Sequence, residues 1–321
     1  MKRLILFVLV IITSCKNGED NDTSSQFEII GLTFDNYPKM DSSTSLVPLS
    51  GLIFCKLFGL DYHWMYFYNI HGWSIVPNNA YDDLEWQTVV NNKFSDLVKS
   101  SQTHQSILNL INKEADIILS ARKMSSDEKK HADASGISII ETSIALDALV
   151  VIVNPENTIE SLSIEQIKDI YTGKITNWKE IGGNDAPINP YIRNANSGSQ
   201  ELFESMIMKG LNIADFPISP EMIPTMQGVI EMVKDDINSI CYTVYYYKEY
   251  IQRVTSVKNI AIEGINPNKA NIGNNTFPLT AEIYAMIRSD LTKSSTAYKL
   301  YTLLQTKVGK EVIRESENIP K

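Results

Sequence analysis

The stretch "LSIEQIKDIYTGKITNWKEIGG", residues 162–183, is the part of the chain that says most about its fold. Ser163 and Gln166 fit a capping box, in which two side chains satisfy backbone N–H groups at the start of a helix. Apolar residues then recur at helical spacing, and Gly173 suits the left-handed position that often follows a helix. The stretch therefore predicts an amphipathic helix over 164–172 that is followed by a turn.

Outward from this helix, short β-rich runs alternate with helical patterns along the chain. The strand candidates are 27–32, 116–120, 143–154, 189–193, 240–246 and 259–265. The helix candidates are 45–58, 104–113, 164–172, 199–209, 226–235 and 295–315. The aromatic-rich segment 60–80 has neither a clear helical nor a clear strand period, so we predict an irregular segment that packs against the rest of the protein. The alternation predicts an α/β fold with mixed or parallel sheets, and the length suggests two domains.

The first residues, "MKRLILFVLVIITSC", combine a basic start with an apolar run that is too short to span a bilayer. This pattern predicts a secretory signal. Its end resembles a bacterial lipobox, which implies cleavage before Cys15 and lipidation of the Cys15 sulfur. We therefore predict a lipoprotein signal peptide over 1–14, a polar tether over 15–26 and a lipid-anchored protein of the cell envelope. An ordinary signal peptide with an incidental cysteine is the alternative.

Charge and motif content exclude several classes of function. The net charge of −9 argues against nucleic-acid partners and against electrostatic adhesion to anionic lipid. The histidines lack metal-ligand spacing, and no catalytic constellation is evident, so we predict a binding protein without cofactor or metal. Cys55 and Cys241 lie in apolar settings that predict buried free thiols, although a disulfide between them stays open.

Three predicted helix entrances carry hydroxyl groups, and two arginines lie near them. Ser43 and Thr44 stand at the first entrance, Thr103 at the second, and Ser197, Gly198 and Ser199 at the third, with Arg122 and Arg193 as the cations. A helix N-terminus offers unpaired N–H groups and a partial positive charge that bind anions. An arginine adds a fork that suits oxyanions. The alternatives are ordinary helix caps and, for Arg122, a salt bridge.

Residues 162–183, followed by "YIRNANSGSQELFE" at 191–204, resemble the phosphate-binding proteins of phosphate ABC transporters, a family of type II periplasmic binding proteins. The resemblance covers most of residues 27–321. It implies a two-lobed α/β fold with mixed sheets and a hinge of two crossing strands, here 144–154 and 240–250. One lobe would be 27–146 plus 248–321, and the other 147–247.

The same resemblance implies a ligand held between the lobes. Ser43 and Thr44 would bind its oxygens from one side, with Thr103 at the second entrance. Arg193 would clamp the anion inside the loop of Ser197, Gly198 and Ser199. The implied function is non-covalent binding of phosphate by a monomeric extracytoplasmic protein, which hands the ligand to an ABC permease.

One position departs from the family pattern. The family has an aspartate after the serine that corresponds to Ser120, where it accepts the proton of hydrogen phosphate, but Ala121 stands here. Asp41 is a possible substitute acceptor. Sulfate, molybdate and tungstate therefore stay open as ligands, and so does a sensor or adhesion role on the same fold. A hydrolase built on Ser197 lacks a histidine or lysine partner at a suggestive spacing.

Overall fold

The computed structural model describes residues 26–68, 72–78, 84–216 and 225–321. The predicted signal peptide, Cys15 and all but the last residue of the tether lie outside these ranges. Within them, no helix combines the length and the apolar character that crossing a bilayer requires.

The longest strand, Ile139–Val153, has 15 residues. The strands are β1 (Met40–Ser42), β2 (Tyr62–Phe67), β3 (Gly72–Pro77), β4 (Ile117–Ser120), β5 (Ile139–Val153), β6 (Ser161–Leu162), β7 (Asn189–Pro190), β8 (Ser239–Val244), β9 (Lys258–Asn259), β10 (Ala261–Ile262), β11 (Thr280–Arg288) and β12 (Ile319–Pro320).

The α-helices are α1 (Val47–Leu57), α2 (Leu84–Leu97), α3 (Thr103–Ile111), α4 (Ser126–Ala134), α5 (Ile164–Tyr171), α6 (Gly198–Phe203), α7 (Met226–Asp235), α8 (Lys269–Gly273), α9 (Thr296–Leu303) and α10 (Lys307–Glu315). Two π-helical turns, Glu204–Met208 and Tyr247–Gln252, follow α6 and β8.

The main sheet is mixed, and β5 connects its two halves. Its strand order is β1-β4-β11-β5-β8-β7, with β9 and β12 also paired to β5. Residues 139–148 of β5 pair with β11, whereas residues 149–153 pair with β8. The β1–β4 and β7–β8 pairs are parallel, and the other pairs of this sheet are antiparallel. The predicted alternation and mixed sheets are therefore present.

Buried side chains of the described residues form three apolar clusters. Two of them share strands β4 and β11 and take their residues from 29–145 and 283–313, and together they are called the first core. The third cluster, called the second core, takes its residues from 146–281. The chain thus passes from the first core to the second within β5 and returns within β11. The predicted second crossing at 240–250 stays a prediction, and its apolar side chains belong to the second core or pack against it.

The predicted lobe bounds, 27–146 plus 248–321 and 147–247, stay a prediction. The change of core after Ala145 in β5 supports the first boundary. Residues from Ile251 to Ala281 pack in the second core and favour a second lobe that ends near residue 281.

The helix predicted over 164–172 forms as α5, which covers Ile164–Tyr171. The Ser163 hydroxyl accepts from the Gln166 backbone N–H at 3.1 Å, and Gln166 Oε1 accepts from the Ser163 N–H at 2.8 Å. Gly173 follows in the left-handed region at φ +75°. Local chemistry alone therefore fixes both ends of α5.

Several other element predictions are wrong. Residues 27–32 form no strand, because Gly31 turns the chain at φ +79° and leaves Ile30 87% exposed. Part of segment 60–80 is a β-hairpin of β2 and β3. The sequence of β3 lacks the alternation of apolar and polar residues that is typical of a strand, because both faces of β3 are buried, one of them against α1. The helix predicted over 295–315 is two helices, since the Thr306 hydroxyl caps α10 by accepting from the Gly309 N–H.

Cys55 and Cys241 are free thiols, so the open disulfide between them is excluded. Cys55 lies in the first core and Cys241 in the second. Burial raises the pKa of each thiol to about 12, which keeps both protonated at neutral pH.

Candidate functional site

A cleft of about 360 Å³ lies between the two cores. Its polar lining from the first-core side is Ser43, Thr44, Ser45, Ser74, Ser100, Gln102 and Thr103, with Ala121 beside them. Its polar lining from the second-core side is Arg193, Ser197, Ser199, Thr225 and Gln227, with Gly198 between the two serines. The three predicted helix entrances therefore converge on one cleft.

On the first-core side, Ser43 is the centre of a buried hydrogen-bond chain. Its hydroxyl accepts from the Thr103 hydroxyl at 2.9 Å and from the Ala121 backbone N–H at 3.0 Å. A hydroxyl has two acceptor positions and one proton. Because both acceptor positions of Ser43 are used, its proton is left to donate into the cleft.

On the second-core side, Arg193 lies three residues after the end of β7, and it is 4% exposed. Its backbone N–H donates to Gln200 Oε1 at 3.0 Å, and Tyr242 also hydrogen-bonds to Gln200. Burial lowers the pKa of the Arg193 guanidinium from its ordinary value, because a charge is disfavoured where water is excluded. The fold thus holds a cation in a largely desolvated place beside the cleft, which suits an anionic ligand.

Ser197 and Ser199 have different roles in their loop. The Ser197 hydroxyl caps α6 by accepting from the Gln200 N–H at 3.1 Å. Ser199 is 5% exposed, and its buried hydroxyl makes no hydrogen bond within the described structure. A buried hydroxyl without a partner costs free energy, so the Ser199 hydroxyl would gain from a ligand that accepts or donates a hydrogen bond.

Gly198 brings the two sides of the cleft together. A Cβ atom at this position would lie 2.5 Å from Thr103 Oγ1 and 3.2 Å from Thr103 Cβ. Only glycine therefore permits this approach of the Ser197 loop to the start of α3.

The assignment of Arg122 to the ligand is corrected by the structure. Its Nη1 lies 2.8 Å from Glu128 Oε2, and its Nη2 lies 2.9 Å from Glu201 Oε1. Arg122 is not among the residues that line the cleft. The salt-bridge alternative holds, because both ends of its fork are occupied by carboxylates.

Asp41 does not supply the acceptor that the site would need in place of Ala121. Its Oδ1 accepts from the backbone N–H groups of Ser42 and Ser101, and its Oδ2 accepts from Asn109. It does not line the cleft. Asp41 instead supports the backbone beneath the site.

Sequence reasoning missed part of the lining. Thr225 could have been found, since it caps α7, a helix that the sequence does predict, by accepting from the Gly228 N–H at 3.0 Å. Gln102 gives no local signal, although it stands before α3 with φ +69°, a region that a non-glycine residue seldom occupies. Trp73 lay in the segment predicted to be irregular. No group of three or more His, Cys, Asp or Glu side chains in the described ranges could hold a metal ion.

The PBP superfamily domain matches residues 84–302, which is more than half of the chain. The chain therefore belongs to the PBP superfamily. Among curated relatives, it is 26% identical to the phosphate-binding protein PstS of Bacillus subtilis over 194 residues, which are 60% of this chain and 61% of that protein. It is also 26% identical to PstS of Borreliella burgdorferi over 65% of this chain and 74% of that protein. The match thus spans less than two thirds of the Bacillus relative.

Two solved structures share the fold. A Clostridium perfringens protein assigned to phosphate ABC transport and solved with bound phosphate superposes with a TM-score of 0.62 at 22% identity, over 88% of this chain and 98% of that one. An ABC-type phosphate transport receptor from Vibrio cholerae gives a TM-score of 0.57 at 21% identity, over 87% and 98%. These likenesses confirm the predicted type II periplasmic-binding-protein fold.

Proposed function

We propose that the protein binds phosphate in the cleft between its two lobes and delivers it to an ABC permease. The convergence of Ser43 and Thr103 with the buried Arg193 and the unpartnered Ser199 hydroxyl carries this proposal. The names of the curated relatives support phosphate as the ligand.

The cleft suits an oxyanion although the whole protein is acidic. Arg193 supplies one positive charge in a place of low water content, where charge-assisted hydrogen bonds are strong. Ser43 and Ser199 add hydroxyl donors from opposite sides. A ligand held by both sides stabilises the closed arrangement, because it loses the contacts with one side when the lobes separate.

Selectivity among oxyanions is the point on which this protein departs from its family's pattern. The described residues that line the cleft include no carboxylate. A carboxylate would accept the proton of hydrogen phosphate and would repel a fully ionised sulfate. We therefore expect this cleft to discriminate less between phosphate and sulfate than a site that contains a carboxylate. Molybdate and tungstate are candidate ligands as well.

The remaining parts of the proposal concern the setting of the protein. A lipid anchor at Cys15, a location on the outer side of a membrane and a monomeric state follow from the predicted signal and the family resemblance. The role proposed is binding and delivery, with no chemical step.

Calorimetry and thermal unfolding of the purified protein with phosphate, sulfate and molybdate test the proposal. A ligand at a hundredfold its Kd should stabilise the protein by roughly 2.7 kcal/mol. Arg193→Ala should weaken phosphate binding by about 2 kcal/mol, or roughly 30-fold. Arg314→Ala is the matched control, because Arg314 is an exposed arginine of α10 outside the cleft. Absence of binding by all three anions would overturn the proposal.

A further inference from the structure

The cleft that contains Arg193 also has an apolar part. Val47, Trp73, Met226, Val244, Tyr247 and Ile251 line it. They come from the start of α1, from β3, from the start of α7, from the end of β8 and from the π-helical turn that follows. Both sides of the cleft therefore contribute apolar surface next to the oxyanion groups.

The cleft is larger than an inorganic oxyanion requires. Its volume is about 360 Å³. At about 30 Å³ for each oxygen in liquid water, the four oxygens of a tetrahedral anion account for roughly 120 Å³. Sites for organic small molecules cover roughly 300–1,000 Å³. The extra volume lies against side chains that bind water poorly, so an inorganic anion would leave it wet or empty.

The apolar wall is fixed in place by packing. The Arg253 guanidinium carbon lies over two tryptophan rings, 4.5 Å from the centre of Trp64 and 4.7 Å from the centre of Trp73. Gly72 permits a close approach to Ile251, since a Cβ there would lie 2.7 Å from Ile251 Cγ2. Trp73 thus meets the cleft as part of a hairpin that is anchored to the turn carrying Tyr247 and Ile251.

The chemistry of the lining also restricts the substituent. The described residues that line the cleft offer no carboxylate for an ammonium group. A buried cation without a partner is costly, whereas an apolar group gains by leaving water for this wall. The apolar wall therefore favours an uncharged, hydrocarbon-like substituent.

We propose that the cleft takes an organic phosphonate or phosphate monoester, in which a tetrahedral R–PO₃ group carries a compact apolar substituent R. This inference rests on the proposed function, because Arg193 and the hydroxyls hold the anionic end. The substituent lies against Trp73, Met226 and Tyr247.

Calorimetry with inorganic phosphate, methylphosphonate, phenylphosphonate and 2-aminoethylphosphonate tests the inference on the purified protein. Phenylphosphonate should bind at least tenfold more tightly than phosphate, and the amino compound no better than methylphosphonate. Phosphate binding with weaker phenylphosphonate binding would overturn the inference and leave the proposed function standing. Binding of neither phosphate nor any phosphonate would overturn both.

Two tryptophan variants distinguish a direct contact between the apolar wall and the substituent from a general effect on folding. Trp73→Ala should weaken phenylphosphonate binding at least tenfold and change phosphate binding less than twofold. Trp64→Ala removes the other contact of Arg253 but does not line the cleft, so it should leave both affinities unchanged. Met226→Ala repeats the test from α7 if Trp73→Ala does not fold. An equal loss for both ligands in Trp73→Ala and Met226→Ala would contradict the inference.

Discussion

Arg122 and Glu201 form an ion pair between the first-core side and the second-core side, with Arg122 Nη2 2.9 Å from Glu201 Oε1. Arg122 follows β4 on the first-core side, and Glu201 lies in α6 on the second-core side. Glu128 Oε2 holds the other end of the arginine fork at 2.8 Å, and His104 Nδ1 lies 2.7 Å from Glu128 Oε1. The pair therefore joins the two sides outside the residues that line the cleft.

Replacing Glu201 should change how stability depends on pH. Burial raises the pKa of Glu201 from 4.5 to about 7, and Arg122 only partly opposes this. A raised pKa means that the folded protein holds a proton which the unfolded chain has released. The Glu201 contribution to stability is thus full below about pH 4.5 and is lost as the pH rises to about 7.

Glu201→Gln should therefore reduce the slope of the urea midpoint against pH between pH 5 and pH 7, since the variant loses the Glu201 carboxyl group and keeps that of Asp147. Glu165→Gln, which removes an exposed carboxylate from α5, should keep the slope of the parent protein. An unchanged slope in Glu201→Gln would show that this carboxyl group does not titrate in that range.

Asp147→Asn should stabilise the protein in alkaline solution. The Asp147 carboxylate lies in β5 where the chain passes between the cores. Its Oδ1 accepts from the N–H groups of Ala148 and Tyr246, while its buried Oδ2 makes no hydrogen bond within the described structure. Burial raises its pKa from 3.8 to about 6.

At pH 8 the Asp147 carboxyl group is ionised in both the folded and the unfolded protein. Its raised pKa in the folded protein therefore lowers the free energy of unfolding by about 3 kcal/mol, at 1.36 kcal/mol for each pKa unit. Asparagine keeps the Oδ1 acceptor and carries no charge, so the gain should approach that value at pH 8 and vanish below about pH 4. Denaturant unfolding at both pH values measures it. Asp147→Ala should destabilise at both, because it leaves two buried N–H groups unpaired.

Ser199→Ala should affect binding and stability in opposite directions. The Ser199 hydroxyl is buried and makes no hydrogen bond within the described structure. Its removal should leave the free protein unchanged or more stable by about 1 kcal/mol, and should weaken phosphate binding roughly tenfold. Ser205→Ala is the matched control, because the Ser205 hydroxyl donates to the Leu202 carbonyl at 3.2 Å in the turn after α6. Unaltered phosphate affinity in Ser199→Ala would remove this hydroxyl from the site.

The features that local chemistry determines could be predicted from the sequence. The capping box of Ser163 and the cap at Ser197 depend on residues three positions apart, so the sequence displays the whole interaction. Serine and threonine at helix starts and an arginine near a glycine loop were therefore sufficient to predict seven of the residues that line the cleft.

Features that depend on distant contacts could not be predicted in this way. Glu201 is 79 positions from Arg122, and nothing near Arg122 shows that a second carboxylate reaches it. The β2–β3 hairpin shows no alternation of apolar and polar residues in its sequence. The reason is that α1 buries the face of β3 that would otherwise be exposed to solvent. The same burial kept Trp73 from being predicted as a wall of the cleft.

Gly198→Ala should obstruct closure of the cleft rather than folding of the chain. The φ angle of Gly198 lies outside the left-handed region, so an alanine fits the backbone there. Its Cβ, however, would lie 2.5 Å from Thr103 Oγ1. We expect phosphate affinity to fall at least tenfold, with a urea midpoint close to that of the parent protein.

A double-mutant cycle with Thr103→Ala separates this collision from other effects of the methyl group. Thr103→Ala removes Oγ1 and the hydrogen bond to Ser43, so it should weaken binding by itself. In that background the added methyl group meets only the Thr103 Cβ position, at 3.2 Å, and Gly198→Ala should cost much less than in the parent protein. Residues in contact show such coupling, whereas independent sites add. Strictly additive losses in calorimetric affinity would mean that the start of α3 and the Ser197 loop do not meet in the ligand-bound protein.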